Sequence, residues 1–223
     1  MSFTAPESLS EQIAKYLAAS IISGKMKPGE RIQEARVVNE LSVSRGSVRE
    51  ALLILERRYL INILPRRGAV VAELSEQNVS QLYDLYINLL VMLAVRVADN
   101  WQDDALDPVL SEWEKMRDCN QNEDRAAFVA AGFRLMHEAC QIARNDYLSE
   151  ILSNLQPALH RAYALGVRYR PAEVSHAFRF FAELIQAVAR RDRNAIPTII
   201  KAYGKHQCST VLAALAEETS ACA

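Results

Sequence analysis

Ser44, Arg45, Ser47 and Arg49 lie within six residues of one another, and Val48, Ala51, Leu52 and Leu55 run beside them at helical spacing. Residues four apart share a helix face, so burying the apolar stripe turns both arginines outward at the start of one helix. A guanidinium there can donate two parallel bonds to O6 and N7 of guanine. Serine hydroxyls and the free amides of a first helical turn suit phosphate oxygens. A second pair of charges, Arg66 and Arg67, precedes Gly68 between two β-prone runs, Leu60 to Leu64 and Ala69 to Val71. A doubly charged hairpin tip of this kind is drawn to a narrow minor groove. Taken singly, these charges also read as solvated surface, with Arg45 and Arg49 paired to Glu50 or Glu40. Helix start and hairpin together favour recognition of duplex DNA.

The elements that would position these groups are legible. Ile13, Leu17, Ala18 and Ile21 recur at helical spacing from Ser8 to Ser23, and Gly24 stops the run. Lys27-Pro28-Gly29-Glu30 is turn chemistry, and Arg31-Ile32 can form a short strand. A second helix is expected from Glu34 to Leu41. Ser44 then caps a third across the tight connection Ser42-Val43-Ser44, which makes a helix-turn-helix followed by a basic hairpin. Past Leu74 strand signals vanish, and six helices are expected with breaks near Asn100, Asn120, Arg144, Arg170 and Asp192. Ser75 starts the first of them, and Pro171 sits in the opening turn of the fifth.

The expected fold is therefore mainly α: residues 1–74 form a winged helix-turn-helix and residues 75–223 an all-helical bundle. Charge follows the same division. Residues 1–74 carry eleven Lys and Arg against eight Asp and Glu, and the remainder fifteen against nineteen, so the basic balance sits in front. No stretch reads as a membrane span, and the first residues, MSFTAPESLSEQ, lack a leader pattern, so a cytoplasmic protein is expected. Cys119, Cys140, Cys208 and Cys222 are scattered without a C-x-x-C pair. No nucleophile elbow, P-loop or dinucleotide fingerprint occurs, so no catalytic residues are assigned and an enzyme is not expected.

The run GKMKPGERIQEARVVNELSVSRGSVREALLILERRYLINILPRRGAVV, from Gly24 to Val71, resembles the winged-helix domain of the GntR family of regulators. The marks are Pro28-Gly29-Glu30-Arg31, Val43-Ser44-Arg45, Val48-Arg49-Glu50-Ala51-Leu52 and Arg67-Gly68. The remainder is similar to the helical sensing (FCD-type) domain of the FadR-like branch. The resemblance implies a homodimeric transcription regulator, a repressor in many relatives, on a near-palindromic operator. DNA contacts carry over to Ser44, Arg45, Gly46, Ser47 and Arg49, and in the wing to Arg67 and Gly68. Arg36 is a further phosphate candidate beside the family's position, which Ala35 occupies. Gly46 stands where the family usually has a side chain, and Tyr59 where glycine is frequent before the wing.

Many members of this branch hold a divalent metal through one Asp and three His. By the resemblance those positions here are Phe133, His137, Phe181 and Tyr203, and Tyr86 replaces the usual Arg. One imidazole cannot hold a divalent cation against water, so no metal and no cofactor is expected. Instead Tyr83, Tyr86, Asn88, Arg134, His137, Phe181 and Tyr203 would line a pocket for a small organic effector with an apolar body and one acidic or hydroxyl end. Two alternatives stay open. His206, three residues past Tyr203 on the same face, or His176 could rebuild a metal site, and the winged helix could serve protein contacts in a helical interaction module.

Overall fold

A computed structural model describes residues 7–221, which leaves Cys222 and the first six residues outside the described part. The chain divides into two compact units, Met1–Leu74 with Pro157–Arg161, and Ser75–Gln156 with Ala162–Ala223.

In the first unit α1 spans Leu9–Ile22, α2 Glu34–Leu41 and α3 Arg45–Arg57, followed by antiparallel strands β1, Ile61–Leu64, and β2, Gly68–Val71. Each start has a local cause. The Ser8 hydroxyl accepts from the Glu11 amide and the Ser44 hydroxyl from the Ser47 amide, which satisfies donors that a helix leaves open at its N-terminus. Ser42 takes a left-handed conformation, φ 52°, and this turns the chain from α2 into α3. Arg31 bridges Val70, so the wing gains a one-residue third strand. Ile13, Leu17, Val48, Leu52, Leu55, Leu60 and Val71 close a core in which none is more than 3% exposed.

The exit from α3 explains how the chain manages without the family's glycine. The Leu60 amide donates to the Leu55 carbonyl and the Tyr59 amide to the Glu56 carbonyl, while Tyr59 sits at φ 58° with its ring exposed. This is a Schellman turn, in which the left-handed residue is ordinarily glycine and a hydrophobic contact joins the flanking residues. Here Leu55 and Leu60, both fully buried, supply that contact. Tyr59→Gly is expected to raise stability by roughly 1 kcal/mol, because the left-handed region strains a side chain. Chemical denaturation checks this, and a drop in the midpoint would mean that the exposed tyrosine ring contributes more than its backbone costs.

The second unit contains α4, Glu76–Asn100; a 3-10 turn, Asp103–Leu106; α5, Asp107–Gln121; α6, Arg125–Ala143; α7, Asp146–Tyr169, part of which groups with the first unit; α8, Glu173–Ala189; and α9, Ala195–Ala221. Ser75, Asp124 and Asn145 cap α4, α6 and α7 with side-chain oxygens. Helix α8 begins two residues after Pro171, which lies in the preceding turn and not in the first helical turn. The last carbonyls of α6 are taken up by α4: Arg96 Nε donates to Ala143 O at 3.0 Å, and Asn100 Nδ2 to the Ile142 and Ala143 carbonyls. Helices α4 and α9 pack together, and Gly204 of α9 lies against Ile87 of α4.

Helix α4 bears on the expectation that no stretch spans a membrane. By length and composition it is apolar enough to cross a bilayer. It nonetheless packs against α6, α8 and α9, and its terminal Asn100 donates to the last carbonyls of α6.

Candidate nucleic-acid interface and helical-domain interior

At the start of α3 the predicted residues come together as expected from their spacing. Val48, Ala51, Leu52 and Leu55 are buried, while Ser44, Arg45, Gly46 and Arg49 are exposed and Ser47 half-buried. The Ser44 and Ser47 hydroxyls are 2.9 Å apart. Arg49 Nε donates to Glu34 Oε2 of α2 at 3.0 Å, in a pair whose arginine side chain is 69% exposed. An exposed pair contributes about 0–1 kcal/mol, less than a bidentate guanine contact at about 1–3 kcal/mol, so Glu34 orients Arg49 without sequestering it. Neither Glu50 nor Glu40 neutralises these arginines. Glu50 accepts from the buried Ser10 hydroxyl at 2.6 Å, and Glu40 accepts from Tyr16 and lies 3.9 Å from Arg36. Arg36 is exposed on α2.

Gly46 has no steric reason to be glycine. A Cβ added there would meet only Ser44 Oγ, at 3.7 Å, an ordinary contact, and the residue is helical. Glycine inside a helix costs about 1 kcal/mol relative to alanine, so the scaffold gains nothing from it.

In the wing, the Arg67 amide donates to Leu64 O, with Pro65 and Arg66 at the corner. Arg66 (φ 62°) and Gly68 (φ 75°) take left-handed conformations, and both arginines are exposed. Arg31, absent from the expected set, stands next to this tip, since a Cβ on Gly68 would lie 3.9 Å from the Arg31 guanidinium. The short strand at Arg31-Ile32 was the signal for it.

Inside the helical unit the predicted effector residues separate into two groups. Tyr83, Tyr86, Phe181 and Tyr203 face the interior. Phe180 stacks on Tyr203 with ring centroids 3.9 Å apart and meets Phe181 edge-on at 5.1 Å. Burial, the largest cause, pushes the Tyr83, Tyr86 and Tyr203 phenols up, and mutual repulsion among the phenolates adds to it for Tyr83 and Tyr203. These hydroxyls are therefore neutral donors. Tyr163 joins them, raised first by burial and then by the Glu173 carboxylate.

Asn88, Arg134 and His137 are instead exposed. Asn88 donates to Asp84 O one turn back, and Arg134 Nε donates to Glu112 Oε2 of α5 at 2.8 Å. Burial pushes the Glu112 carboxyl up, but hydrogen bonds from Lys115 and Arg134 more than reverse this and leave it below its ordinary value. On α6 it is Met136 that reaches Tyr86, whose hydroxyl donates to Met136 Sδ at 3.6 Å, and Gly132 that faces the Phe181 ring. Both stand one residue before the positions that the resemblance marked, and one residue is a rotation of about 100° around a helix.

The fold is a winged helix-turn-helix with exposed basic groups beside a helical domain, and comparison with known proteins agrees with a DNA-binding regulator. Residues 9–71 match the family of bacterial regulatory proteins named gntR, and residues 81–205 match the FCD domain. The chain belongs to the GntR family of transcription regulators, in the group that carries an FCD domain. It is 28% identical over 186 residues to the gluconate operon transcriptional repressor of Bacillus subtilis, covering 82% of this chain and 76% of that protein. It is 22% identical over 190 residues to the regulator McbR of Escherichia coli, covering 83% and 85%. Among solved structures, E. coli McbR/YncC superposes with a TM-score of 0.77 at 18% identity over 92% of this chain and 98% of that one. A GntR regulator from Rhodococcus gives 0.71 at 21% over 93% and 99%. These relatives are transcription regulators and not enzymes.

Proposed function

We propose that this chain is a sequence-specific operator-binding repressor, acting as a homodimer in the cytoplasm, whose grip on DNA is set by a small organic effector held in the helical domain. Residues 1–74 read the operator and residues 75–223 bind effector and partner subunit. Arg45 and Arg49 contact base edges; Ser44, Ser47 and Arg36 meet phosphates. Arg66, Arg67 and Gly68 enter the adjacent groove, and bare Gly46 lets the backbone come close. Repression as the mode draws on the relative named as a repressor. Dimerisation draws on the outer face of α4, where Leu85 and Met92 are each about half exposed at heptad spacing with Leu89 between them.

The observation that carries the effector reading is the unequal hydrogen bonding of the buried phenols. Tyr86 donates to a thioether, a weak acceptor, Tyr163 has only the neighbouring Tyr203 hydroxyl to pair with, and the Trp113 indole N–H is shut from solvent without a hydrogen-bond partner. Buried donors left in this state cost about 1–3 kcal/mol each, which a ligand bearing a carboxylate, carbonyl or hydroxyl would recover. The apolar surroundings favour an aromatic or aliphatic body, and Arg134, engaged by Glu112, is a less direct partner than the phenols.

The test is a thermal-shift screen of small aromatic and aliphatic acids and alcohols on the full chain, followed by operator binding with each hit. At least one class is expected to raise the melting temperature by several degrees and to change operator affinity, and Tyr86→Phe is expected to reduce both effects. Hits that shift melting equally in Tyr86→Phe and Tyr203→Leu would place the ligand elsewhere.

A further inference from the structure

Helices α8 and α9 bring together three side chains that the reading of the effector site does not use. Glu173 and His176 lie in the first turn of α8, and His206 projects from the middle of α9. His206 Nε2 lies 2.9 Å from Glu173 Oε2, 3.1 Å from Glu173 Oε1 and 3.1 Å from His176 Nδ1. His176 Nδ1 lies 3.8 Å from Glu173 Oε1. The Glu173 side chain is 6% exposed, and its Oε2 accepts from the buried amide of Gln207 at 2.9 Å.

Hydrogen bonds alone do not account for this cluster. If His206 Nε2 carries a proton, it donates to the carboxylate but has no lone pair left to receive His176 Nδ1. If it carries none, it can accept from His176, but then a lone pair faces a carboxylate oxygen at 2.9 Å. Protonating His176 at Nδ1 as well does not repair the first arrangement, because two N–H groups would then face each other. A single N–H can serve all the neighbours only as a weak shared bond. Four donor atoms thus converge with too few protons between them, the condition that a cation resolves.

The geometry points to a divalent transition-metal site of the zinc class formed by Glu173, His176 and His206. Metal–ligand bonds of about 2.0–2.2 Å in a tetrahedron separate the ligand atoms by roughly 3.3 Å. With Glu173 Oε1 as the carboxylate ligand, the observed separations are 3.1, 3.1 and 3.8 Å, which straddle that value. Two imidazoles and one carboxylate suit zinc, nickel or copper over magnesium or calcium. Gln207 fixes the carboxylate from behind, as outer-shell donors do in metal sites. Both histidines are about 40% exposed, so the fourth position opens to water or to an anionic ligand. This site is not at the positions the family resemblance marked. His176 lies five residues before Phe181 and His206 three after Tyr203. A bound ion would staple the start of α8 to α9, the helices that carry Phe181 and Tyr203.

The full chain, stripped with chelator and dialysed, should bind one zinc ion per chain in calorimetric titration and melt several degrees higher with it. Cobalt in its place should show the intense visible absorption of a four-coordinate ion. His176→Ala and His206→Ala should each weaken zinc binding at least tenfold and abolish the cobalt band, while His137→Ala and His160→Ala leave both unchanged. Because both ligand histidines are partly exposed, folding of the variants is verified by circular dichroism, and either one suffices for the test. Failure to bind zinc below about 100 micromolar, or binding indifferent to His176 and His206, overturns the assignment.

Discussion

Replacing Arg45 or Arg49 by alanine is expected to weaken binding to the operator duplex by about 1–3 kcal/mol each, roughly 5- to 150-fold, and to relax base preference at the contacted positions. Both side chains stand exposed on the first two turns of α3, over a face whose apolar residues are completely buried, so neither substitution touches the core. Arg49→Ala also releases Glu34, whose surface pair contributes less than the lost DNA contact. The wing provides a contrast. Arg66→Ala with Arg67→Ala should lower affinity for all sequences alike and make the fall of affinity with salt shallower by about two charges per subunit, because a charge placed on phosphate releases counterions whatever the base sequence. Fluorescence anisotropy with cognate and scrambled duplexes over a salt series separates these behaviours. Equal loss on both duplexes for Arg45→Ala would show that it holds phosphate and reads no base.

The second large effect is expected at Gly204. A Cβ there would lie 2.3 Å from Ile87 Cγ1 and 2.6 Å from its Cδ1, well inside van der Waals contact. Alanine would gain about 1 kcal/mol of helix propensity, but overpacking of a close helix pair costs about 1–3 kcal/mol or more, since Cγ1 is near the root of the Ile87 side chain and cannot swing clear. Gly204→Ala is therefore expected to lower stability by about 1–2 kcal/mol, and Gly204→Leu by more. Ile87→Ala, destabilising by itself, should recover part of the loss in the double variant. A denaturation cycle over the four proteins measures that coupling, and strict additivity would mean that α4 and α9 separate freely.

The starts of α1, α3 and α4 and the end of α1 were readable in the sequence because the cap serines Ser8, Ser44 and Ser75 and the stop at Gly24 are local chemistry, decided within four residues. Rotation about a helix axis was harder to read. On α6 both Met136 and His137 fit an amphipathic pattern, and only packing against Tyr86 shows that methionine faces inward and histidine outward. Partners were harder again. Arg49 pairs with Glu34, fifteen residues away, because Glu50 is engaged by Ser10 and Glu40 by Tyr16. The meeting of His176 with His206, thirty positions apart, depends on the crossing of α8 and α9. Tyr59 was legible as an anomaly, and its Schellman geometry shows why the chain tolerates it.

Gly46 bears on how readily this regulator can change the sequence it recognises. Because the scaffold asks nothing of that position, a serine, threonine or lysine introduced there would sit at the tip of the reading helix without disturbing the residues beneath it. On the proposed contact of this turn with the operator, selection, in nature or in a library, can explore new operators at one codon without crowding the fold. The bare backbone at Gly46 leaves the specificity of this protein open to revision.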